Sequence, residues 1–213
     1  MFLLFPLTAF SQSSLYRSAP GKSALGMSIS FLDNRKNLNG YLTSPIDHNT
    51  QAIFAAGIGL FDNDQLADLN ASIPPSPSGA VALETTSSLG TTGLQSFLTG
   101  GVKASSAKGV LTDDNITVVS IVDLTAFGGA GIFKRLQTSS ELVMIPSFGV
   151  FYSYTWETAD YKLLGSKEST EFSDFSGGIG LQLDLAPEVS VWGALTFSFD
   201  TSDTALTVGV NWY

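Results

Sequence analysis

The chain has 213 residues, a formal net charge of −9 and no cysteine, and only 14% of its residues are charged. This composition excludes a basic nucleic-acid interface, disulfide bonds and any cysteine metal site. The mean hydropathy is positive, at +0.22, yet the sequence lacks the run of about twenty apolar residues that a membrane-spanning helix needs. With 21 glycines and 15 phenylalanines, the composition favours a strand-rich membrane protein. A soluble β-sandwich or lipocalin-like barrel is the alternative.

The N-terminal residues predict export from the cytoplasm. An apolar stretch is followed by the small residues Ala9 and Ser11, at the −3 and −1 positions of a cleavage site. We therefore expect a signal peptide over 1–11 and a lead segment over 12–22. Because the first basic residue is Arg17, either this signal is truncated or the start is misassigned and residues are missing upstream. An N-terminal buried strand is the alternative.

Residues 23–213 are expected to form a single β-domain. In the first run Leu25, Met27 and Ile29 alternate with small residues, and such period-two alternation gives a strand one apolar face. Eight or twelve strands are alternatives to ten, because the alternation is poor over 80–112 and a connection near 124–127 is only inferred. The ten predicted strands are 23–32, 51–61, 65–73, 93–112, 115–123, 127–136, 141–157, 171–185, 189–199 and 203–213.

The predicted connections alternate between short and long, as they do in barrels that have short turns at one end. Both chain termini then lie at the end with the short turns. His48, the only histidine, falls in the first long connection and is therefore expected at the opposite end. The long connections are 33–50, 74–92, 157–171 and 200–203.

The runs from residue 141 onward carry the clearest signal, because both of their faces are distinctive. One face is apolar. The other is small and weakly polar and carries almost no lysine, as in Ser147, Gly149, Ser153 and Thr155. Such a face suits a crowded barrel lumen and the apolar face suits lipid, whereas a soluble barrel points its aliphatic face inward.

The chain resembles bacterial outer-membrane β-barrel proteins in three features. These are Ala9-Phe10-Ser11 before Gln12, the amphipathic hairpins, and a C-terminal strand, 207–213, that ends on an aromatic residue. The resemblance implies an all-β, transmembrane, antiparallel up-and-down barrel in the lipid bilayer of a Gram-negative outer membrane. It also implies that the barrel-assembly machinery recognises the last strand. Family members keep their apolar positions in phase with the terminal aromatic residue. Here Trp212 is one position off Tyr213, so either a final residue is lost or Trp212 is the anchor.

Four polar residues are candidates for the lumen. Asp174, Gln182 and Asp184 lie on the weakly polar face of one predicted strand, and Arg135 lies on another. Charges in a lumen can form an ion-selective constriction. A hydrogen-bonded plug is favoured here, because a buried unpaired charge is costly.

Aromatic residues near the strand ends predict the two interface girdles of a membrane barrel. The general preference of aromatic residues for strands is the alternative explanation. The predicted girdle residues are Tyr152, Tyr154, Trp156, Phe197 and Phe199 at one interface and Trp212 at the other.

The sequence offers no convincing catalytic set and no cofactor or metal motif. His48 could serve an outer-rim hydrolase, but the adjacent Asp47 is a poor orienting partner, because neighbouring strand residues point to opposite faces. The glycine-rich stretches 128–131 and 177–180 open no helix, so we expect close packing across a small lumen instead of phosphate binding.

We expect a monomeric, non-enzymatic protein with a largely filled lumen and a structural or loop-mediated binding role. A narrow, porin-like channel for small solutes or ions and a hydrolase using His48 are the alternatives.

Overall fold

The computed structural model describes residues 22–32, 35–61, 71–111, 116–138 and 142–213. In these residues there is no helix long and apolar enough to cross a membrane. The predicted signal peptide and nearly all of the predicted lead lie outside the described residues. The strands are β1 (Ala24–Leu32), β2 (Arg35–Pro45), β3 (Thr50–Phe61), β4 (Ala71–Ser72), β5 (Ser76–Leu89), β6 (Leu94–Leu111), β7 (Ile116–Lys134), β8 (Leu136–Gln137), β9 (Val143–Tyr161), β10 (Ser166–Ala186), β11 (Val189–Ser198) and β12 (Thr204–Trp212).

Ten of these strands close into an antiparallel barrel. Their order is β1, β2, β3, β5, β6, β7, β9, β10, β11 and β12, and β12 pairs with β1 to complete the ring. Because neighbours in the ring follow one another along the chain, the barrel has the predicted up-and-down topology. The two-residue strands β4 and β8 stay outside the ring and pair with the end of β6 and the start of β9.

The registers of the strands set the stagger of the barrel. Pairings that start at Asp184 of β10 pass through Ser190 and Asn211, continue around the ring and return to β10 at Phe172. The displacement after one circuit is 184 − 172 = 12 residues. In closed barrels a stagger of this kind tilts the strands by about 35–45° from the barrel axis.

The two faces of the strands are as the sequence predicts for the C-terminal half. On β12, Thr207 and Asn211 are fully buried in the lumen, whereas Leu206, Val208 and Trp212 are 48%, 41% and 43% exposed on the outside. Around the ring most large aliphatic side chains are exposed on the outside, whereas the buried side chains are small, polar or members of a set of aromatic residues. An outward apolar face of this kind fits lipid and not water.

The predicted number of strands is confirmed, but two ring strands lie where we expected long loops. β2 falls inside the expected loop 33–50, and β5 falls inside 74–92. The inward face of β2 carries Arg35, Asn37 and Asn39, so its sequence looks like a polar loop. The Pro74–Pro77 segment has the same effect at the start of β5.

A second correction concerns β7. The predicted strands 115–123 and 127–136 form one continuous strand, and no connection exists at 124–127. Both faces of β7 are apolar because Phe127 and Phe133 point into the lumen. Most of the predicted strand 65–73 lies outside the described residues, and its end forms β4.

The strands differ in length, so one side of the barrel is taller than the other. The end that holds Ala24 and Tyr213 is called the terminal end, and the opposite end the far end. β1, β2, β11 and β12 have 9–11 residues, whereas β6, β7, β9 and β10 have 18–21 and extend beyond their neighbours at the far end. This extension is called the projecting wall, and it comprises 106–111, 116–122, 157–161 and 166–173.

Replacing Ile179 with Arg tests the lipid-facing surface. Ile179 is 53% exposed within the apolar face of β10, so Ile179→Arg should lower the free energy of unfolding by about 2–4 kcal/mol in lipid vesicles. The control is Ser169→Arg, in the projecting wall of the same strand, which should change it by less than about 0.5 kcal/mol. Urea titration followed by tryptophan fluorescence measures both. Equal effects would contradict contact of the apolar face with lipid.

Candidate functional site: the barrel lumen

Four aromatic side chains fill the lumen on the side of the terminal end. Tyr41, Phe97, Phe151 and Trp192 are 3%, 2%, 2% and 5% exposed. They belong to one buried cluster, which is completed by Phe133, Ile145 and Ala194.

Each of these four rings lies against a glycine of the neighbouring strand. The glycine is the direct register partner of the aromatic residue in every case. A Cβ atom at the glycine would lie only 2.1–2.5 Å from a ring atom, so only glycine leaves room for the ring. The pairs are Tyr41 with Gly26, Phe97 with Gly131, Phe151 with Gly129, and Trp192 with Gly209.

The expected role of the glycine-rich stretches is therefore found at Gly129 and Gly131, which allow close packing across the lumen. Gly177 faces outward instead, and a Cβ there would lie 2.8 Å from Cζ of Phe197. This fifth pair is also in direct register. It places the Phe197 ring over a glycine on the outer surface.

Three of the four predicted lumen residues meet at the terminal end. Arg135 Nη2 donates to Asp184 Oδ2 at 2.7 Å, and Gln182 Nε2 donates to Asp184 Oδ1 at 2.6 Å. The ion pair is partly open to solvent, since the two side chains are 31% and 17% exposed. Asp174 lies apart at the far end, where Ser198 donates to its carboxylate.

A chain of hydrogen bonds links this group to the aromatic rings. Gln182 Nε2 also donates to the hydroxyl of Tyr213 at 3.1 Å, which contacts Ser190 Oγ at 3.1 Å. Asn211 Nδ2 donates to the same Ser190 oxygen at 2.9 Å. The hydroxyl of Tyr41 donates to Asn211 Oδ1.

The chain ends at the indole of Trp192. Its Nε1 donates to the Tyr41 hydroxyl at 2.9 Å, and the two rings pack edge-to-face with their centroids 6.5 Å apart. Both rings are held by hydrogen bonds as well as by packing. They are therefore fixed in position across the lumen.

The far half of the lumen is polar and contains charges that sequence reasoning missed. Arg35, Lys103, Asp123 and Glu157 are 5%, 5%, 8% and 8% exposed. Ser105 Oγ donates to Asp123 Oδ2 at 3.1 Å. The sequence contained a sign of Lys103 and Asp123. Each is an even number of residues from a phenylalanine of its own strand that points into the lumen, so it lies on the same inward face. Arg35 lies in a segment that we expected to be a loop.

Four of the six predicted girdle residues are exposed on the outside of the barrel. Tyr152, Trp156, Phe199 and Trp212 are 42–55% exposed. Those on β9, and Phe199 directly after β11, lie toward the far end together with Phe175. Phe199 packs against Phe197 and Phe175, with ring centroids 5.1 and 5.2 Å apart, and Tyr154 packs against Trp156 with centroids 4.8 Å apart. Trp212 lies at the terminal end.

The structure places His48 at the terminal end, in the turn between β2 and β3, and not at the opposite end as we expected. Asp47 Oδ1 accepts the backbone N–H groups of Asn49 and Thr50, both at 2.8 Å. The N–H of Asn49 holds the pKa of the Asp47 carboxyl below its ordinary value. Because this oxygen caps its own turn, Asp47 is not set to orient the imidazole of His48.

A cavity of about 250 Å³ opens at the terminal end beside this turn. Its lining includes His48, Gln51, Glu84 and Arg135, and also Phe133 of the aromatic cluster. Gln51 Nε2 donates to Glu84 Oε1 at 3.0 Å. The cavity is thus a vestibule lined mostly by polar residues, with Phe133 of the aromatic cluster in its lining. Among the described residues no cluster of potential metal ligands is found.

Adding a methyl group at Gly129 tests the packing of the rings. Gly129→Ala should lower the free energy of unfolding by about 1–3 kcal/mol, because the new Cβ overlaps the Phe151 ring. The adjacent Gly128 is the matched control, since its Cβ would lie 3.7 Å from the nearest atom. Gly128→Ala should have a much smaller effect. Urea unfolding in detergent compares the two, and equal costs would argue against a packed lumen.

Comparisons with known proteins agree with this architecture. The sequence matches no family model and no curated protein. The translocator domain of autotransporter NalP from Neisseria meningitidis has a TM-score of 0.51 and 12% identity, covering 97% of this chain and 93% of that chain. The outer membrane protease OmpT from Escherichia coli has a TM-score of 0.50 and 8% identity, with 93% and 99% covered. The KdgM porin has a TM-score of 0.42 and 7% identity, with 89% and 98% covered. The first two similarities show that the chain has the closed β-barrel fold of bacterial outer-membrane proteins.

Proposed function

We propose that this chain is an integral outer-membrane protein whose barrel is closed to solutes and which acts through its far end. The role is structural or binding, and it is not enzymatic. The observation that carries the proposal is the set of four buried rings on four glycines. A role in transport would need an open path at this level, whereas a role in support or contact needs only a stable barrel and an exposed surface.

The closure is supported by both packing and hydrogen bonding. Phe97 and Phe151 stack with their centroids 6.3 Å apart, and Tyr41 and Trp192 are tied to the network at the terminal end. Barrels of few strands commonly have an interior that side chains fill. Moving these rings aside would break hydrogen bonds and expose apolar surface together, so the closed state is favoured.

The far end offers the surface for contact. The outward positions of β9 and β10 beyond Trp156 and Phe175 are polar, as at Asp160 and Ser169. On β9 and β10 the apolar band therefore ends near these rings, and their part of the projecting wall stands beyond it. We propose that the wall faces the cell exterior and the terminal end the periplasm, as extended outer segments and periplasmic termini are usual in such barrels.

The C-terminal strand bears on how the barrel is assembled in the membrane. The outward phase of β12 ends on Trp212, whereas the hydroxyl of Tyr213 joins the hydrogen-bond chain inside the barrel. We propose that Trp212 supplies the aromatic anchor recognised by the barrel-assembly machinery. Because one chain completes the whole ring, we propose a monomer embedded in the lipid bilayer.

A narrow channel is the second candidate. The observation that favours it is the polar lining on both sides of the rings, with the Arg135–Asp184 pair at one end and Lys103 in the far half. In that case the rings act as a gate. A hydrolase at His48 has less support, because Asp47 is engaged by its own turn.

Planar-bilayer conductance separates the closed barrel from the channel. The unmodified protein should give no discrete current steps, whereas Phe97→Ala combined with Phe151→Ala should give them, because it removes two of the four rings. Phe148→Ala is the control, since Phe148 faces outward on β9 and is 47% exposed. Steps from the unmodified protein that change with Asp184→Asn would establish the channel instead.

Single cysteines test the orientation, because the chain has none of its own. In intact cells a membrane-impermeant maleimide should label Ser169→Cys in the projecting wall and leave His48→Cys unlabelled. After the outer membrane is permeabilised, both should react. Labelling of His48→Cys alone in intact cells would reverse the proposed orientation.

A further inference from the structure

Four buried polar atoms in the far half of the lumen have no hydrogen-bond partner. They are Nε and Nη2 of Arg35, Nδ2 of Asn37 and Oδ1 of Asp123. The three side chains are 5%, 6% and 8% exposed. Buried polar groups are nearly always paired, and leaving one unpaired is costly. Four such atoms in one half of the lumen therefore point to a bound group that pairs them.

The three side chains approach this half of the lumen from two walls. Arg35 and Asn37 are alternate residues of β2, so both point inward and their Cα atoms are about 7 Å apart. Asp123 lies on β7, which is four strands away along the ring. It is close enough to interact electrostatically with both Arg35 and Lys103.

The unpaired atoms define what the missing group must offer. Nε and Nη2 form one edge of the guanidinium, which binds two oxygen atoms of one anion in parallel. Asn37 Nδ2 needs a third acceptor. Asp123 Oδ1 needs a donor, because Ser105 already donates to Oδ2. The complementary group therefore has three acceptor oxygens and one O–H.

Among common oxyanions, hydrogen phosphate has this set. Sulfate has acceptor oxygens and no proton to donate to Asp123. A carboxylate can accept from Arg35 and Asn37, but like sulfate it has no proton to donate to Asp123. Lys103 interacts electrostatically with Arg35 and Asp123 and so lies in the same half of the lumen, while Glu157 lies directly opposite Asp123 on β9.

We propose that the far half of the lumen binds hydrogen phosphate, with Arg35 and Asn37 as donors and Asp123 as the acceptor of its P–O–H. The aromatic rings lie between this site and the terminal end, so the site holds the ion and does not pass it on. This assignment goes beyond the proposed closed barrel, and the conductance experiment does not depend on it.

Titration calorimetry of the detergent-solubilised full chain tests the proposal, with potassium phosphate and potassium sulfate at matched ionic strength near neutral pH. Phosphate should bind, and sulfate should bind at least about tenfold more weakly, because it cannot donate to Asp123 and is repelled by it. Absence of phosphate binding would mean that ordered water alone fills the site. Equal binding of the two anions would also overturn the proposal.

Two variants assign the residues. Arg35→Gln should weaken phosphate binding by at least about tenfold, whereas Lys36→Gln, on the exposed face of the same strand, should leave it unchanged. Asp123→Asn should remove the preference for phosphate over sulfate, because the amide can donate to sulfate. Heat-dependent gel mobility checks folding. If Arg35→Gln does not fold, the nearly isosteric Asp123→Asn decides alone, and an unchanged preference for phosphate there would refute the assignment.

Discussion

The space inside a ten-stranded ring must be filled by side chains, and on the side of the terminal end the aromatic–glycine pairs fill it. Each ring needs a glycine on the next strand, so the position of one residue fixes the identity of another across the sheet. The pairs also favour this register, since a slip of one residue would place a Cβ opposite the rings of Tyr41, Phe97 and Trp192. Packing, closure and strand pairing thus depend on the same few contacts. The hydrogen bonds of Tyr41 and Trp192 connect these packed rings to the polar group at the terminal end.

The sequence predicts the architecture well wherever one face of a strand is uniformly apolar. From β9 to β12 the alternation gives both the strands and the side that faces lipid. It fails at β2 and β5, whose inward faces or proline-rich start imitate loops, and at β7, whose inward phenylalanines remove the contrast between faces. Local pattern cannot distinguish a lumen ring from a lipid-facing one. The predicted total of ten is correct although these individual strands were misplaced.

The lumen was predictable only in part. Arg135, Gln182 and Asp184 meet as their shared phase suggests, whereas Asp174 lies too far along the same strand to join them. The rings of Phe151 and Trp192 interrupt otherwise small-residue faces, which was a visible but ambiguous sign. Their glycine partners lie on other strands. That relation exists only once the register is known, and the same is true of Arg35 and Asp123 on opposite walls.

Because the strands differ in length, the barrel has two unlike sides at its far end. A ring of equal strands would look the same from every side of the bilayer, and a neighbour could approach it from any direction. Among the described strands, those on one side extend as a wall and those on the other side are about half as long. Rotation about the membrane normal therefore changes what a neighbouring molecule meets. Any complex that forms through the projecting wall therefore has one preferred rotational orientation about the membrane normal. Crowding in the plane of the membrane limits access to the wall from one side only.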